Sequence, residues 1–95
     1  MALKTLPDQV LTAAPVALST GASIRAAWVQ VQANSLNGAA RIGDRNITAS
    51  RGGIIASGGD AQFGPTLGNA NAYDLSDIYV LGTPGDTVAI LYDTN

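Results

Sequence analysis

The sequence contains no cysteine and no histidine, and because all seven acidic residues are aspartate it has no glutamate either. Without cysteine there are no disulfides and no thiolate metal site, and the redox compartment stays open. The commonest general bases, nucleophile–base pairs and soft metal ligands are missing too. Serine has no partner base, and Lys4 is the only lysine. The chain is therefore not expected to be an enzyme. Charge is scarce as well: charged residues make up 13% of the chain, against about a quarter in ordinary soluble proteins. Five basic residues face seven acidic ones, which leaves no nucleic-acid footprint. No run approaches about 18 consecutive apolar residues, so no membrane span is expected. Lys4 makes a weak n-region, and Pro7, Asp8 and Pro15 interrupt the segment after it. No signal peptide is expected, and the protein is expected to be made in a cytoplasm and not exported by a recognisable route.

What is present is alanine, valine, isoleucine and leucine, interleaved with eleven glycines and four prolines over 95 residues. That length makes one domain, 1–95, with a thin core. A surface of Gly, Ala, Asn, Ser and Thr suits a protein that is stabilised by partners.

The periodicity is that of strands. Ile24 to Ala33, IRAAWVQVQA, places Ala27, Val29, Val31 and Ala33 on one face and Trp28, Gln30 and Gln32 on the other, as a half-buried antiparallel strand requires. Gln9 to Leu18 reads as a strand interrupted by Pro15, at an edge or a bulge. Asn37-Gly38 marks a hairpin turn before the short strand Ala39 to Gly43. Asn46 to Ser50 reads as another strand, with Ile47 and Ala49 inward, and Ile54 to Ala56 as a brief apolar segment. Ser57 to Ala72 is a long loop with one short strand near Gln62-Phe63. Ile78 to Leu81 and Val88 to Ile90, joined by Gly82 to Asp86, form a closing hairpin. Short strands with frequent turns predict an all-β fold, a small antiparallel β-sandwich or jelly-roll-like barrel.

Candidate chemistry is sparse. Asp74 and Asp77 are the nearest to a carboxylate pair, but Asp-Leu-Ser-Asp before a strand is turn chemistry first. The aspartates at 44, 60, 74, 77 and 86 lack the spacing of a calcium loop. Ser57 to Asp60 and Gly64 to Gly68 lack the strand–loop–helix setting of a phosphate cradle. Asn46-Ile47-Thr48 matches a glycosylation sequon without an export signal. No metal or cofactor and no small-molecule substrate is expected. The candidate contacts are with protein partners. Trp28 is either covered within the sandwich or an interface anchor. Arg41, Arg45 and Arg51 lie on adjacent strands or turns and are either solvated or paired with a partner's acids. Leu3, Lys4, Leu6 and Val10 belong either to a first strand or to an N-terminal arm, 1–10.

The stretches WVQVQAN (Trp28 to Asn34), ARIGDRNITASRGGI (Ala40 to Ile54) and DLSDIYVLGTPGDTVAILY (Asp74 to Tyr92) resemble a family of small virion proteins of tailed bacteriophages. The likeness spans roughly residues 27 to 92, and the last stretch is its best motif. Residues 58 to 72 are longer than that pattern expects. The resemblance implies a capsid decoration, or cement, protein: a homotrimer on the outer capsid surface of the virion, with the major capsid protein as partner and no nucleic acid or membrane. The alternative is a head-fibre or tail-associated module that recognises a host glycan through Trp28, Tyr73 and the polar loop Asn69 to Asn71.

Overall fold

A computed structural model describes residues 2–36, 38–65 and 71–94. Among the described residues ten strands follow one another as β1 (Ala2–Val10), β2 (Val16–Ala17), β3 (Arg25–Ala26), β4 (Trp28–Ala33), β5 (Ala40–Gly43), β6 (Gly53–Ile55), β7 (Asp60–Phe63), β8 (Tyr73–Asp74), β9 (Tyr79–Leu81) and β10 (Thr87–Thr94). One 3-10 turn, Leu75–Asp77, sits between β8 and β9. The first sheet runs β1-β10-β4-β7 and the second β2-β9-β5-β6, with β3 and β8 as a separate two-stranded ribbon.

The pairings nest. Strand β1 pairs with β10, β2 with β9, β3 with β8, β4 with β7 and β5 with β6, all antiparallel. The chain is thus one long two-stranded ribbon, folded at residues 44–52 and rolled until β10 meets β4 and β9 meets β5. That is the winding of a jelly roll, and the expected all-β sandwich is what the protein adopts.

Period-2 alternation decides the core. Val29, Val31 and Ala33 of β4 face inward with Val88, Ile90 and Tyr92 of β10. From the second sheet Ala40, Ile42, Ile55 and Val80 meet them in one buried cluster, closed by Leu11 and Leu75. Burying these side chains stabilises the fold by roughly 1.5–3 kcal/mol each.

Four connections cross between the sheets and are bonded side by side at one end. Gly82 N donates to Thr12 O (3.0 Å), Gly85 N to Leu11 O (3.2 Å) and Leu11 N to Asp86 O (2.7 Å). Gly38 N donates to Asp86 Oδ2 (2.9 Å), and Gly58 N to Asn34 O (3.3 Å).

This corrects several expectations. Ile78 to Leu81 and Val88 to Ile90 do not form a hairpin: β9 lies in the second sheet and β10 in the first. The segment at Leu11-Thr12 takes the turn's hydrogen bonds, so the chain arches from sheet to sheet. For the same reason β4 and β5 are not hairpin partners. Asn46 to Ser50 is not a strand: Asp44 Oδ1 accepts from Asn46 N, Thr48 Oγ1 accepts from Ser50 N, and Thr48 forms one isolated bridge to Arg51. Such local bonds compete with a ladder. Ile47 is buried as expected, but Ala49 is exposed. The long strand expected from Ile24 to Ala33 breaks at Ala27, whose N–H turns to Asp93 O at 2.9 Å. The short strand near Gln62-Phe63 is β7. Asn37, and residues 66–70 of the long loop, lie outside the described residues.

Candidate partner-binding surfaces

The outer face of the first sheet follows from register. Leu3 of β1 stands opposite Asp93 of β10, which stands opposite Trp28 of β4. The next row is Thr5, Leu91, Gln30 and Gln62, and beyond it Ala89, Gln32 and Asp60. Leu3 is 66% exposed, while Trp28, Leu91 and Asp93 are half-buried. Gln30 Nε2 and Gln62 Nε2 both donate to Asp60 Oδ2, at 3.0 and 2.9 Å, which fixes a small polar ladder. Because Ala89 is short, a depression of about 360 Å³ opens above it between Thr5, Asp8, Gln32 and Leu91.

Asp93 Oδ1 is buried and accepts no hydrogen bond. A buried acceptor without a donor costs about 1–3 kcal/mol. The face carries Asp8, Asp60 and Asp93, and its cross-strand rows present no lysine or arginine. Among the described residues no group of three such side chains could hold a metal ion.

On the second sheet, Arg41 stands opposite Ile54 of β6 and Leu81 of β9, all on the outer face. Ile54 is 64% exposed, while Leu81, at 5%, is covered. A depression of about 340 Å³ is lined here by Ala13, Ala39, Ala49, Ile54 and Leu81, with Arg41 at its side. Arg41 Nη1 donates to Gly52 O at 2.9 Å. Arg45 and Arg51 are exposed on the connection between β5 and β6.

The seven side chains expected at an interface therefore divide. Leu3 and Trp28 share the outer face of the first sheet. Lys4 and Leu6 stand opposite the inward residues Tyr92 and Ile90, and Leu6 packs against the core, so Leu6 is a core side chain. The three arginines share one hairpin on the other side. Of the two alternatives for the N-terminal segment, residues 2–10 take the strand: β1 pairs with β10 from Ala2 to Val10. The expectation passed over Asp93, since nothing local marks a carboxylate near the chain end as buried.

No protein-family model, no curated protein and no solved structure matches this chain.

The four edges of the two four-stranded sheets are blunted. Strand β1 carries Lys4, Pro7 and a bulge between Leu6 and Gln9, β2 and β6 have two and three residues, and β7 runs into Gly64-Pro65. Such edges resist strand addition, which leaves faces and loops for contact.

Asp74 serves the fold locally. Its carboxylate accepts from Ser23 Oγ and from Ser76 N and Oγ at 3.0 and 2.7 Å. Ser23 first, then Ser76, with Arg25 adding, hold its pKa down to about 2. It caps the 3-10 turn, which is the turn chemistry expected of it. Tyr73, with its ring centroid 5.9 Å from that of Phe63, is half-buried and is not a free stacking platform. Asn69 lies outside the described residues.

Proposed function

We propose that this chain is a capsid decoration protein of a tailed bacteriophage, seated as a trimer on the outer shell and bridging capsomers of the major capsid protein. The observation behind this reading is the exterior. Two sheet faces with apolar side chains at the surface, Leu3 and Trp28 on one and Ile54 on the other, stand on a rolled frame, and the edges of that frame are blunted against strand addition. The resemblance of Trp28 to Asn34, Ala40 to Ile54 and Asp74 to Tyr92 to decoration proteins supplies the class of partner. Function is then burial without chemistry. About 800 Å² per protomer holds a specific contact, and threefold repetition multiplies attachment by avidity. The test is to mix purified protein with expanded, undecorated capsids of the parent phage and to sediment them. Co-pelleting is expected; a folded protein left in the supernatant refutes the proposal.

One observation favours a second reading. Gln30 and Gln62 lie one row from Trp28 and Asp60 two, and an aromatic near fixed amides and a carboxylate suits a sugar ring. A glycan-binding module would change its tryptophan fluorescence with some member of a glycan panel. No response across the panel sinks this reading.

A further inference from the structure

The charges of this protein are segregated, and the segregation points to a partner. Arg41, Arg45 and Arg51 lie on the β5–β6 hairpin with only Asp44 among them. Arg25 is engaged elsewhere: it stands opposite Asp74 and donates from Nε to Asn71 O at 3.1 Å. Asp86 is held by Gly38 N. Lys4, on the other face of β1, and Asp77, in the 3-10 turn, are exposed and belong to neither group. What remains is an anionic face, with Asp93 in the row of the exposed Leu3 and half-buried Trp28 and with Asp60 and Asp8 nearer its other end, and a cationic tip, with Arg45 and Arg51 beside the exposed Ile54. Each patch pairs one sign of charge with an apolar anchor, and the signs are opposite.

We propose that copies of this chain associate head to tail, with the arginine tip of one seated on the outer face of the first sheet of the next. Asp93 is half-buried, and an incoming guanidinium would give its carboxylate a partner of opposite charge; Arg and Trp are the residues that dominate such contacts. Strand direction places the tip and the Leu3–Asp93–Trp28 row toward the same end. Strand β5 runs from the crossing loops toward the tip, and β10 runs from those loops toward Asp93. Tip and face do not coincide, so the contact is heterologous and makes a ring where its rotation closes. The inference rests on the self-association part of the proposed function and specifies the surfaces that make it.

The test needs only the purified chain. Sedimentation velocity is run on the wild type, on Asp93→Arg, on the pair Arg45→Asp and Arg51→Asp, and on the chain carrying all three changes. The expected result is an oligomer for the wild type, self-association weakened about tenfold or more in the first two variants, and recovery in the third. Raising salt from about 0.1 M to 1 M, which shortens the Debye length from ~10 to 3 Å, should also weaken the wild-type oligomer. If Asp93→Arg does not fold by circular dichroism, Asp93→Asn, of nearly equal shape, replaces it. A wild type that stays monomeric overturns the inference. So does an oligomer indifferent to the substitutions, or one sensitive only on the face or only on the tip. Capsid co-sedimentation is a separate readout: a monomer that still pellets with capsids sinks this interface and leaves decoration standing.

Discussion

The crossing loops make the sharpest claim about stability. Leu11 is fully buried, its backbone bonds the turn between β9 and β10, and a Cβ added at Gly82 would lie 2.8 Å from its Cδ1. That is well inside the 3.5–4.0 Å of ordinary carbon contact. Leu11→Ala leaves a cavity and should cost about 3–5 kcal/mol. Gly82→Ala, with no left-handed φ at stake, costs through overpacking alone, about 1–3 kcal/mol. If the sites were independent, the double variant would lose about 4–8 kcal/mol. They share one volume, however: in the double variant the new methyl occupies space that Cδ1 vacated. Its total loss should fall to about 3–4 kcal/mol, no worse than Leu11→Ala alone, a coupling of about 1–3 kcal/mol. Urea unfolding followed through the fluorescence of Trp28, the only tryptophan, reads each midpoint, and thermal midpoints should move by about 4–8 °C per kcal/mol. Additivity within about 0.5 kcal/mol would refute the argument, because Gly82 would then be glycine for a reason other than Leu11.

Three further outcomes are expected. The Asp74 carboxyl is held at about 2 against an ordinary 3.8, so its contribution is complete above the unfolded value and drains away as pH falls from about 4 to about 2; Asp74→Asn should flatten the urea midpoint across that window, and an unchanged slope counts against the Ser23 and Ser76 bonds. Ile55→Ala should cost about 2–5 kcal/mol, while Ile54→Ser, on the opposite face of β6, should stay within about 0.5 kcal/mol; equal losses in chemical denaturation would mean that the register of β6 is misassigned. Gly64 has φ +95°, and a side chain there would run into the carbonyl oxygen of Ala27, so Gly64→Ala should lose roughly 2–5 kcal/mol from strain plus collision, and a melting temperature unchanged from wild type would dismiss that packing.

Fold class was legible because half-buried strands advertise themselves. Trp28 to Ala33 alternates between neighbours on both sides, and its residues face as their polarity predicts. Asn46 to Ser50 shows the same two-residue period and is a turn, because Asp44 and Thr48 offer their neighbours' N–H groups a local partner. The apparent closing hairpin failed for another reason. Glycine and proline mark where a chain bends, but not whether the next strand returns to the same sheet or crosses to the other. Here the answer lies some seventy residues away, at Leu11 and Thr12, whose backbone takes the bonds of the bend.

The same distinction separates the two charged patches. Arg41, Arg45 and Arg51 sit within one hairpin, the innermost of the rolled ribbon, so their clustering could be read from spacing alone. Asp8, Asp60 and Asp93 come from the first, seventh and tenth strands and share one face only because β10 pairs with both β1 and β4, and β4 with β7. The roll that buries the core therefore also assembles the anionic face, with Trp28 and Leu3 set beside Asp93 by the register that buries Val29 and Tyr92. A one-residue slip of β10 would send Asp93 inward and scatter the face. The surface proposed for contact is thus as strongly specified as the core, although no short stretch of the chain announces it.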